Sequence, residues 1–197
     1  MMTPTVDLAG DLARAVAEYQ EHANIALLLR RLDELAAGAT PDALVVAVEP
    51  FRDIPEVAGP IYEKIVAAQP TNARALVILA NAYWLGGRGP EVVEGLANRA
   101  IAADPTNRGA WHLWALSESD PRQRVARWRQ VTTRFPEDHL AHANLADNAA
   151  SLAGAEHDTD ALLLAITTYE WLLERTEHPD QRDALEHALL TLRAWKL

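Results

Sequence analysis

The sequence predicts an all-α array of stacked helix hairpins, and three observations predict it. First, a small–large–proline pattern recurs as Ala58-x3-Tyr62-x2-Ile65-x4-Pro70 and Val93-x3-Ala97-x2-Ala100-x4-Pro105, with a shorter echo in Trp128-x2-Val131-x4-Pro136. Second, a different apolar pattern falls between these, as Leu76-x2-Leu79-Ala80-x2-Tyr83 and Trp111-x2-Trp114-Ala115. Third, the tripeptide Pro-Thr-Asn stands at both 70–72 and 105–107. Apolar positions three and four apart mark helices. A fixed recurrence of such helices marks a serial architecture.

The spacing has a physical reason. Two helices approach closely only where a small side chain on one faces a large one on the other. Ala80 provides the close approach and Tyr83 fills the space one turn further on, while Ala100 and Val131 serve the contact to the following pair. Pro70, Pro105 and Pro136 cannot continue a helix and restrict the residue before them, so each closes a pair. Asn72, Asn107 and Asp138 follow two residues later, where the next helix needs an N-cap.

Taken in order, residues 7–37 read as helix, with Asp7 as N-cap, Gly38 as C-cap and Asn24 as a candidate break. Thr40-Pro41-Asp42 opens a short helix to about Glu49. Pro50, Pro55 and Pro60 crowd the next stretch, so the following helix is expected to start at Pro60 and cover Ile61–Ala68. Further helices are expected over 73–85, 90–103, 109–116 and 121–134, with Gly86-Gly87-Arg88-Gly89-Pro90 as a stop and restart. The proline spacings are 35, 31 and 43 residues. The long last one is expected to lie in Gly154–Asp160 and a longer second helix, giving helices over 139–152 and 159–175. A final helix over 180–195 carries Leu185, Leu189, Leu192 and Trp195 on one face. The expected organisation is therefore a segment 1–40 that caps the array or dimerises, hairpin repeats over 41–178, and a capping helix at 179–197.

Over about residues 41–177 this pattern resembles the tetratricopeptide repeat, a pair of short helices recurring every roughly 34 residues. The resemblance implies a right-handed helical-hairpin solenoid whose first helices line a concave groove. It implies a non-enzymatic module that holds a partner peptide or helix there, with no cofactor. By position in the repeat, Arg74, Asn81, Trp84, His112 and Asp147 are the expected partner contacts. Chaperone-binding members capture a carboxylate with a Lys/Asn/Arg clamp. Asn81 matches one clamp position, but Val77 and Leu113 stand where others are needed, so that particular capture is not expected.

Composition bounds the reading further. The chain has 197 residues and no Cys, so no disulfide framework or thiol chemistry is available. No secretory signal is read at the start, no apolar stretch is long enough to span a bilayer, and a cytoplasmic location is expected. Of the net charge of −10, residues 1–69 hold 5 basic and 11 acidic groups, 70–136 hold 9 and 5, and 137–197 hold 4 and 12. The overall sign argues against nucleic acid. The basic middle, all Arg, suits an acidic protein surface or charge-matched contact between copies, so a self-associating assembly subunit is the alternative function.

Arg122, Arg127, Arg129 and Arg134 are the candidate acidic-partner surface, interleaved with core-type Val125, Trp128 and Val131; a solvated outer face is the plainer alternative. His139 and His142 lie three apart on one helix, a spacing that can share a metal, but His142 holds a core position and no third ligand is fixed. No metal site is therefore assigned. Phosphate loops, nucleophile elbows and zinc-protease motifs are missing from the sequence, and no catalytic residue is assigned.

Overall fold

The proline-closed pairs form helices, and the spacing between them sets where each begins. The structure, a computed structural model, describes residues 7–196. Among the described residues there are eleven α-helices and no strand. They are α1 Leu8–His22, α2 Ile25–Ala37, α3 Pro41–Val48, α4 Pro55–Ala68, α5 Ala73–Leu85, α6 Pro90–Ala103, α7 Arg108–Leu116, α8 Pro121–Arg134, α9 His139–Glu156, α10 Thr159–Arg175 and α11 Pro179–Arg193. The chain divides into two compact units, residues 1–113 and 114–197, with the division inside α7.

The starts are written in local chemistry. Asn72 accepts from the Ala75 N–H at 3.0 Å, Asn107 from Ala110 at 3.2 Å and Asp138 from Ala141 at 3.1 Å. Asn24 does the same for Leu27 at 3.0 Å, after Ala23 turns through a left-handed φ of 52°. The chain therefore breaks at the candidate position, Asn24, and 7–37 is two helices. Gly87, at φ 70°, makes the turn between α5 and α6 in a region that penalises a Cβ.

Three boundaries differ from expectation, one of them at the end of α11, which closes at Arg193 and leaves Trp195 beyond the helix with its ring against Gly154. α4 begins at Pro55 and runs through Pro60. Pro55 occupies the first helical position, where a missing N–H costs nothing, and Pro60 then removes only the bond to the Glu56 carbonyl. The helix keeps its other bonds and buries seven residues, Val57 and Ile65 among them, which offsets that loss. α9 runs on through Gly154 to Glu156, because Gly154 lies inside the helix with the Trp195 ring over it. A Cβ at Gly154 would sit 3.2 Å from that indole. The extra length of the last repeat is thus partly in its first helix.

In the first unit, α1 packs on α2 and α3, α2 on α4, α3 on α4, α4 on α5 and α5 on α6. The N-terminal pair is thus seated on its neighbour as one more hairpin. In the second unit, α8 packs on α9, α9 on α10 and α10 on α11. The small–large pattern is the core: Ala58, Tyr62, Ile65, Leu76, Ala80, Val93, Ala97 and Ala100 are buried in one unit, and Leu145, Ala146, Ala165 and Leu172 in the other. Trp128, at 1% exposure, is core. Each buried Leu, Ile or Val contributes about 1.5–3 kcal/mol.

Candidate functional site

On α5 the helical period sends Ala75, Leu76, Leu79, Ala80 and Ala82 inward and leaves Arg74, Val77, Asn81 and Trp84 along the other side. Trp84 is 37% exposed, and Leu85 beside it, which the repeat pattern does not single out, is 58% exposed. Its signal was available: it closes an apolar run immediately before two glycines, where no further turn of helix can cover it. The half-buried Asn81 amide has no hydrogen-bond partner among the described residues. Arg74 donates to Glu49 at 2.9 Å, sharing that carboxylate with Arg52 at 3.0 Å. Below them lie the Tyr62 hydroxyl and the second Glu49 oxygen, both buried without a hydrogen-bond partner. Burial, and then the nearby Glu49 charge, raise the Tyr62 phenol above its usual pKa. α7 meets this face at Gly109, where a Cβ would come within 3.2 Å of Val77. His112 follows one turn later and is half-buried.

Asp147 is on the second unit, exposed, and accepts a hydrogen bond from the Tyr169 hydroxyl. Burial and this bond raise the Tyr169 phenol. In the first unit Tyr83 makes the equivalent bond to Glu63 at 2.5 Å.

The four candidate arginines of α8, Arg122, Arg127, Arg129 and Arg134, have different fates. Arg122 is held by Glu156 at 2.5 Å and Asp158 at 2.8 Å. Asp158 is also the N-cap of α10; the Ala161 N–H and then Arg122 hold its carboxyl below the usual range. Arg127, with only 17% of its side chain exposed, pairs with Glu118 at 2.7 Å, donates to the Trp114 carbonyl at 2.8 Å and lies over the Trp114 ring. Arg134 lies 5.8 Å from the Phe135 ring centroid. Arg129 is exposed and lines a pocket of about 260 Å³ with Arg122, Val125, Leu152 and Asp160. Arg122 and Arg127 are thus committed to the chain's own acids and tie its helices together.

His142 stacks on Trp171 at 3.7 Å between centroids, His139 meets the same indole edge-on at 5.3 Å, and Arg175 lies 4.4 Å from it. These imidazoles are packed on an aromatic ring. Among the described residues no three His, Asp or Glu side chains are placed to hold a metal, and no helix is long and apolar enough to cross a membrane.

No protein-family model matches the chain, and no curated protein is similar to it in sequence. Solved structures do match. A crystal structure of MamA has a TM-score of 0.61 at 15% identity, covering 82% of this chain and 96% of its own. A second MamA crystal structure has a TM-score of 0.57 at 15% identity, covering 83% and 93%. A thermophilic tetratricopeptide repeat protein of Thermus thermophilus has a TM-score of 0.55 at 17% identity, covering 93% and 99%. The fold is therefore an all-α, tetratricopeptide-like helical solenoid.

Proposed function

We propose that this chain is a non-enzymatic protein-interaction scaffold that holds a peptide or helix of a partner against the α5 face, with Arg74, Asn81, Trp84 and His112 as contacts. The observation that carries the reading is Trp84, 37% exposed on a helix whose other face is core, next to exposed Leu85 and an unpaired Asn81 amide. A rigid aromatic flanked by an apolar neighbour and a free donor–acceptor pair suits an anchor with a backbone-reading amide beside it. The fold is one that presents such faces, which supports the class of function. Asp147 enters as an exposed acceptor on the second unit, already tied to Tyr169.

Self-association is the second reading, supported by the alternation of charge along the sequence. It is the weaker one, because Arg122 and Arg127 spend their charge inside the chain. The test is calorimetric titration of the full chain with a partner recovered from the native host, against Trp84→Ala. The expected loss is about 2–4 kcal/mol, the range for a central aromatic anchor; unchanged affinity removes the α5 face from the site.

A further inference from the structure

We infer that the hollow between α8 and α10 binds a short apolar peptide with free termini, its ammonium set toward Asp160 and its carboxylate toward Arg129. α9 packs against both α8 and α10, and residues of all three helices line a hollow of about 260 Å³. Its floor is apolar: Val125 and Leu152 are buried there, with Ala126 and Leu164 beside them. Two charges on its wall are open. Among the described residues the side chains of Arg129 and Asp160 have neither an ion pair nor a hydrogen bond, although both line the same small space. The hollow between α1 and α2 shows the contrast, for there Arg14 is held by Asp11, Arg31 by Glu18 and Glu34 by Arg30.

The open charges stand at opposite ends. Arg122 and Arg129 are seven residues apart on one flank of α8, about 10 Å along the helix axis. At the Arg122 end one cation meets two carboxylates, Glu156 at 2.5 Å and Asp158 at 2.8 Å. Asp158 is in addition committed to the Ala161 N–H. Asp160 comes two residues later, so this end keeps an uncommitted carboxylate and a surplus of negative charge. Arg129 stands at the other end, the one lining cation without a partner among the described residues. A bare anion would answer Arg129 and meet Asp160 as a like charge, and a bare cation would do the reverse. A zwitterion answers both. Two to three extended residues span about 7–10 Å, which matches the distance between the ends, whereas a single amino acid is too short. Apolar side chains on the peptide then cover Ala126 and Leu164. The hollow lies in the second unit and shares no residue with the α5 face, so the two assignments fail separately.

The experiment titrates the full chain at low salt with leucyl-leucine and two blocked forms, N-acetyl-leucyl-leucine and leucyl-leucinamide, followed by NMR chemical shifts. Leucyl-leucine is expected to bind, and each blocked form about fivefold weaker, because one end charge is missing. Arg129→Gln is expected to weaken leucyl-leucine about fivefold and to leave leucyl-leucinamide, which has no carboxylate, unchanged. Asp160→Asn is expected to weaken leucyl-leucine to the same degree and to leave the acetylated form, which has no ammonium, unchanged. Ala126→Phe fills the hollow and is expected to abolish binding of all three peptides. The replaced side chains are exposed, and circular dichroism verifies retained helix. No binding of leucyl-leucine, equal affinity for the three peptides, or affinities that neither charge variant changes, would each overturn the proposal.

Discussion

At the scale of the residue, Tyr83 and Tyr169 show how one side chain serves both the pattern and the packing. Each is the bulky member of a small–large pair, and each hydroxyl reaches a carboxylate on the adjacent helix, Glu63 and Asp147. A phenol donates only while protonated. Desolvation and then the Glu63 bond push the Tyr83 phenol up from 10.0 to about 12. A group whose pKa is raised by folding contributes stability that is whole below its unfolded value and fades as pH rises through the folded one. The denaturant midpoint is therefore expected to fall between pH 10 and about 12. In Tyr83→Phe the slope over that window becomes shallower, because one linked proton is gone; an identical slope in the variant counts against the assignment. The ring was legible in the sequence as a space-filler. Its acceptor was not, since Glu63 lies 20 residues away and hydrogen bonds across helices leave no trace in spacing.

At the scale of the element, what is local was legible and what is tertiary was not. Caps at Asn24, Asn72 and Asp138 follow from residue type and the position of a preceding break or proline. Pro60 and Gly154 were misleading for opposite reasons. Pro60 sits inside α4 because a start at Pro55 had already placed it near the helix N-terminus, where one lost bond is tolerated. Gly154 is inside α9 because Trp195, far along the chain, needs the space. The caps differ in burial, and this gives a graded expectation. Asp138 is 5% exposed and holds the first turn of α9, so Asp138→Ala is expected to cost about 1–2 kcal/mol in equilibrium unfolding. The exposed Asn24 cap of α2 lies at the lower end, with Asn24→Ala costing about 0.5–1 kcal/mol. Equal losses would mean that burial does not strengthen the cap.

At the scale of the whole molecule, the repeat spacing made the sequence of hairpins legible but not the division within α7, whose residues read like any other opening helix. Of the candidate site, the exposure of Trp84 on α5 was legible from register, while the internal partners of Arg122, Arg127 and Asp147 follow only from packing. Each unit holds nine basic and fourteen acidic groups, so net charge does not distinguish them. Stability within each is distributed by serial contact, and in such arrays the elements with fewest neighbours open first. α4 buries seven residues and α9 six, whereas α2 buries Leu28 and Leu32 alone and α11 only Leu189 and Leu192. Amide hydrogen exchange followed by mass spectrometry is therefore expected to label α11 first in the second unit and α1–α2 first in the first, with α4 and α9 last. Uniform protection along the chain would contradict serial stacking as the source of stability.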